Sequence, residues 1–347
     1  MTHPKTVCGA LLALAVAIAP ARANIRFNFV PDAGMNRTAI LGFNRAASLW
    51  SSVLANNITI NVQIGFTSLG PGIIGQTSTS WDERSYTEIK GALANNRVSS
   101  DDYSSFASLQ PNDAYFRLIN HTSNNPNGVN SATPYVDSMN RVGITTANAK
   151  ALGLLGPSSS IDAVIRFSSN FPFDFNHGTT IAPDKFDFVG AAAHELGHAL
   201  GFISGVDDID AANGAAPGTN FSSNMIDLFR YSEASLQAGP GYTDYTADTR
   251  SKYFSVNGGS SLTGAFATGP TFGDGRQASH WKDSLGLGIM DPTADFGERL
   301  DISFLDLKAF DVMGYTLVPE PAILVLLPFL AALCLVFRRV ACLIPRR

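Results

Sequence analysis

Along this chain the spacing of apolar residues changes several times, and each change marks an element. Over residues 40–54, rich in Ala and Leu, apolar positions recur at helical spacing; over 58–64 they alternate with polar ones, as in a half-buried strand. A second strand is predicted over 161–167, where β-branched and aromatic residues cluster after the turn-forming Gly156-Pro157. The run Phe188-Val189-Gly190-Ala191-Ala192-Ala193 opens a helix that Asp184 or Asp187 would cap and Gly201 would end. Residues 255–260 read as a hairpin turn, and 301–313 as a closing helix. Neither an internal repeat nor a long flexible linker interrupts residues 24–317. The expected fold class is α+β, with one central helix in a subdomain over 24–200, then a C-terminal subdomain over 201–317 that ends in a helix.

A chain of 347 residues, 45% of them apolar, can bury a substantial core. Its net charge of -5 comes with no Lys/Arg block in the middle, so the clustered cations that a nucleic-acid backbone rewards are missing and no nucleic-acid partner is expected. Lys5, an apolar run over 7–19 and the small residues of Ala21-Arg22-Ala23 have the form of a secretory signal over 1–23; the run is too short to span a bilayer. At the other end, Val318-Pro319-Glu320-Pro321 precedes an apolar run over 322–337 and the arginines 338, 339, 346 and 347, which the positive-inside rule keeps cytoplasmic. This order of parts over 318–347 resembles the PEP-CTERM sorting signal of Gram-negative bacteria. The resemblance implies transient membrane anchoring, then cutting near Pro-Glu-Pro by an exosortase-like processing enzyme and a final place in the cell envelope or outside the cell; the alternative is a permanent C-terminal anchor. Cys8, Cys334 and Cys342 all fall in these end segments, so the mature chain would hold no thiol and must rely on packing and bound metal. Intact-mass measurement of protein recovered from its native host is expected to show loss of residues 1–23 and of most residues after Pro321. A mature species that still carries Arg338 would overturn the sorting signal and leave the permanent anchor.

Within the central helix, His194-Glu195-Leu196-Gly197-His198 forms an HExxH pattern. Four residues nearly complete a helical turn, so both imidazoles share a face and can share a metal ion, while Glu195 sits about 100° round and can reach a water there. The geometry suits zinc. Three protein ligands would leave a fourth position open for water, with Glu195 as the general base. Asp207, Asp208 and Asp210 miss the spacing of an EF-hand and read as an exposed acidic loop.

The longer segment His194-Glu195-Leu196-Gly197-His198-Ala199-Leu200-Gly201 resembles the metzincin peptidases, in which the glycine turns the chain toward a third histidine, usually three residues on. Ser204 stands at that position here, and a neutral hydroxyl is a poor zinc ligand. The resemblance to the leishmanolysin family, carried over residues 186–315 by the helix motif, a long insert, Ser279-His280-Trp281-Lys282-Asp283 and a Met-turn in Gly288-Ile289-Met290-Asp291-Pro292, implies a metzincin-like catalytic domain with a mixed sheet and an active-site helix. It assigns Zn2+ to His194, His198 and His280, with Met290 as the apolar floor. Trp281 would add shape. His177, His121, Asp207 and Glu233 remain rival ligands. The function implied is a secreted or cell-surface zinc endopeptidase acting on a protein or peptide substrate; the alternative is a non-catalytic surface or matrix binding protein on the same fold.

Overall fold

The computed structural model describes residues 24–212 and 221–319. The secretory signal and all of the sorting tail beyond Val318-Pro319 lie outside the described residues. Among the described residues no helix is long and apolar enough to cross a membrane.

The class is α+β, as expected. A first strand, β1 (Arg26–Pro31), leads into helix α1 (Arg37–Val53), followed by strands β2 (Thr59–Thr67), β3 (Gly75–Thr79) and β4 (Ala163–Ser168). They form one sheet in the order β1-β2-β4-β3, with β1, β2 and β4 parallel and β3 antiparallel to β4 at the edge. α1 begins three residues before the apolar period does, because the Asn36 side chain accepts from the Thr38 N–H and caps it. The alternation in β2 does not leave a solvated face. Ile60, Val62 and Ile64 are fully buried, and Asn61 between them is buried too. Asn61 is accommodated by hydrogen bonding: its N–H donates to Asp162 Oδ2 at 2.8 Å, its Nδ2 donates to Ser158 O at 2.7 Å, and its Oδ1 accepts from Asn28. Lys150 neutralises Asp162 at 2.6 Å.

The motif helix is α2 (Phe188–Leu200). Of the two cap candidates Asp187 holds the position, accepting from the N–H groups of Val189 and Gly190, and Gly201 closes the helix at φ 118. Trp50 of α1 fixes α2 laterally: the indole is fully buried and donates to Ala193 O at 2.8 Å. Truncating a buried residue of this kind to Ala costs about 3–5 kcal/mol. The predicted hairpin joins strands Lys252–Phe254 and Ala265–Phe266, paired antiparallel, with Gly258 and Gly259 both at positive φ in its loop. The closing helix, α3, spans Phe304–Val312, shorter at its start than the apolar pattern suggested, because Ser303 caps it in a box with Asp306.

The main hydrophobic cluster draws on both sides of Gly201, with Phe43, Ile165 and Phe188 packed together with Phe202, Trp281 and Phe310. Two small sheets also join strands across that boundary: Thr243–Tyr245 runs parallel to Tyr115–Ile119, and Ser223–Asn224 to part of Arg141–Thr145.

Candidate metal centre

The helix motif and the distant His280 meet. His198 Nε2 lies 3.1 Å from His194 Nε2 and 3.2 Å from His280 Nε2, and the remaining pair is 3.3 Å apart. Each ring turns its other nitrogen to a backbone carbonyl: His194 Nδ1 to Ile289 O at 2.7 Å, His198 Nδ1 to Phe202 O at 2.7 Å and His280 Nδ1 to Gln277 O at 3.2 Å. A carbonyl can only accept, so Nδ1 carries the proton on each ring and Nε2 keeps its lone pair. Three lone pairs thus converge on one point, an arrangement that repels itself unless a cation sits between them. Burial reinforces neutrality, pushing His194 down to about 4 and His198 to about 3; His280 falls well below its ordinary value. The three side chains can therefore bind a metal ion. Among the described residues no other group of three His, Cys, Asp or Glu side chains could.

Glu195 stands beside the cluster and is 6% exposed. Burial raises its carboxyl to about 7, and Thr77 of β3 donates to Glu195 Oε2 at 2.5 Å. Two glycines clear the space. A Cβ on Gly75 would meet Glu195 Oε1 at 2.7 Å, and one on Gly197 would meet Met290 Sδ at 2.4 Å. Met290 is fully buried beneath the helix. Its turn hangs from Asp306 of α3, whose carboxylate accepts from Ile289 N at 2.8 Å, Met290 N at 3.3 Å and the Trp281 indole at 2.8 Å. Trp281 therefore provides an anchoring hydrogen bond as well as shape. Through the Ile289 carbonyl the same support reaches His194.

Glu195 and the three histidines line a cavity of about 650 Å3, bordered by β3 on one side and by residues of the 270–280 and 291–294 segments on the other.

The rival ligands are occupied elsewhere. His177 Nδ1 bonds Asp187 Oδ2 at 2.7 Å and so braces the cap of α2. His121 stacks on Phe272 with ring centroids 3.7 Å apart. Glu233 opens a short helix, Glu233–Ala238, and is exposed. The acidic run 207–210 is not the exposed loop its composition suggested. Residues Val206–Ala212 form a helix in which Asp210 is fully buried, accepting from the N–H groups of Thr271 and Phe272. Asp207 accepts from the segment that carries His280, and only Asp208 of the three is exposed.

The roles of Thr77, Gly75 and Asp306 were not apparent in the sequence. Thr77 lies 118 positions from Glu195 and Asp306 lies 25 from Trp281, and no local pattern marks either contact.

No family model, curated protein or solved structure matches this chain.

Proposed function

We propose that this protein is a secreted or cell-surface zinc endopeptidase of the metzincin kind, similar to the leishmanolysin family. The observation that carries the proposal is the convergence of three unprotonated Nε2 atoms, 3.1–3.3 Å apart, beside a buried carboxylate. Zinc–imidazole bonds of about 2.0–2.1 Å place tetrahedral ligand atoms about 3.3 Å from one another, so the residues fit that ion. An all-imidazole set also suits other late transition metals, but hydrolysis asks for a redox-inert ion with an open position. Zinc held there supplies Lewis acidity, polarising a peptide carbonyl and acidifying water.

The chain's own residues do the rest. Glu195 takes the proton of the attacking water and returns it to the leaving amine; burial has moved its carboxyl to about 7, close to the pH at which both transfers must run. Thr77 holds one carboxylate oxygen, leaving the other for the reaction. Strand β3 is an edge strand of its sheet among the described residues and lines the cavity, which is where an extended peptide would add by strand pairing. The glycine exit of α2 and the buried Met290 under Gly197 support the metzincin reading. A purely binding role would leave Glu195 buried at some cost with nothing to do.

The test is a casein zymogram of purified protein. Clearing is expected that a strong zinc chelator abolishes and added zinc restores. Hydrolysis that survives complete metal removal would refute the proposal, as would a zinc-loaded protein that cleaves no peptide bond.

A further inference from the structure

His194 and His198 are held by a helix and by 2.7 Å carbonyl bonds, whereas His280 sits in an irregular segment 82 positions beyond His198, and its Nδ1 makes a longer 3.2 Å contact to Gln277 O. What fixes the backbone of residues 277–280 therefore decides whether the third imidazole reaches the metal.

The answer lies close to the position left by the missing short-spaced histidine. Asp207 Oδ1 accepts from Ala278 N at 2.6 Å, and Asp207 Oδ2 accepts from Ser279 N at 3.0 Å and from the Ser279 hydroxyl at 2.5 Å. Ser279 Oγ in turn accepts from Ser204 N at 2.8 Å, and Ser204 Oγ donates to the buried Asp227 at 2.6 Å. On the opposite side the buried Arg230 donates to Ala267 O at 2.6 Å and to Ala278 O at 3.4 Å, while Ala267 N donates to His280 O at 3.0 Å.

We propose that Asp207 is a positioning residue for the metal centre: its carboxylate clamps the Ala278-Ser279 backbone and so sets His280 in reach of the ion that His194 and His198 hold. Ser204, at the position where the short pattern would put a ligand, has become part of the clamp. The proposal rests on the metal-binding reading of the site. A carboxylate is needed because it accepts on both oxygens. An amide offers one acceptor, and its NH2 would face the N–H of Ala278 or of Ser279, donor against donor.

The experiment measures zinc affinity by competition against a chromophoric chelator, and the visible absorption of the Co2+-substituted protein. It compares wild type, Asp207→Asn and, as a control on the exposed neighbour in the same helix, Asp208→Asn. We expect Asp207→Asn to bind zinc about 10–100-fold more weakly, with a changed Co2+ spectrum, and to recover much of its turnover at saturating zinc; Asp208→Asn should match wild type in every readout. If Asp207→Asn does not fold, Ser279→Ala removes the hydroxyl that links Asp207 to Ser204 and should weaken zinc binding in the same direction with a smaller factor. Affinity within about twofold of wild type and an unchanged Co2+ spectrum in the folded variant overturn the clamp. If wild type takes up neither ion, the metal reading itself fails and the clamp falls with it.

Discussion

Glu195→Gln is expected to keep the metal and lose the reaction. The substitution preserves the shape of a side chain that is 6% exposed, and the amide oxygen can still accept from Thr77, so the helix and the three imidazoles have no reason to move. It removes only the group that can take a proton. General acid–base catalysis is worth about 10²–10⁴-fold, so turnover should fall by roughly three orders of magnitude, about 4 kcal/mol of barrier. The check has two parts on the same sample: bound zinc per chain by elemental analysis, and cleavage of a quenched fluorescent peptide. Full metal with lost cleavage is the expected pair. Undiminished cleavage by a zinc-loaded variant would remove Glu195 from the mechanism, whereas loss of zinc would mean that the carboxylate is structural.

Much of this centre can be read without the fold because its information is local. The four-residue step between His194 and His198 is a statement about one helical turn, and Asp187 and Gly201 bound that helix by chemistry that acts within a few residues. Strand β2 and most of helix α1 follow from apolar period, and strand β4 from its β-branched and aromatic cluster behind Gly156-Pro157. What is illegible is whatever depends on a partner far along the chain. Asn61 looks like the solvated position of an alternating strand, yet it is buried because Asp162 and Ser158 arrive to bond it. The carboxylates of 207–210 look like surface charge. Two of them instead receive backbone N–H groups from residues 271, 272, 278 and 279, and only the tertiary fold supplies those donors. In the same way α3 starts late because Asp306 serves two purposes, boxing the cap at Ser303 and carrying the turn that ends in Met290. A Cβ at Gly288 would lie 2.1 Å from that carboxylate, so this glycine is a packing requirement that its sequence neighbours do not reveal.

His280→Ala is expected to cost the protein both its metal and its activity, and His177→Ala neither. Chain separation does not weaken the first expectation, since closing a long loop costs only a term logarithmic in its length, and the folded structure has already met that cost through the pairing around Ala267 and Trp281. Removing His280 leaves two imidazoles where three Nε2 atoms now stand within 3.3 Å of one another. Loss of a direct ligand should exceed the 10–100-fold typical of a supporting residue, so zinc affinity should drop by more than about 100-fold and peptide cleavage should fall to background at ordinary zinc concentrations. His177 has a different task. Its Nδ1 braces Asp187, so His177→Ala loses a hydrogen bond to a carboxylate, worth about 1.5–3 kcal/mol of stability, while zinc binding and turnover of the folded protein stay as they were. Isothermal titration of each metal-free variant with zinc, beside thermal unfolding, separates the two outcomes. An unchanged zinc isotherm for His280→Ala, or a lost one for a folded His177→Ala, would show that the ion is held by a different set of side chains.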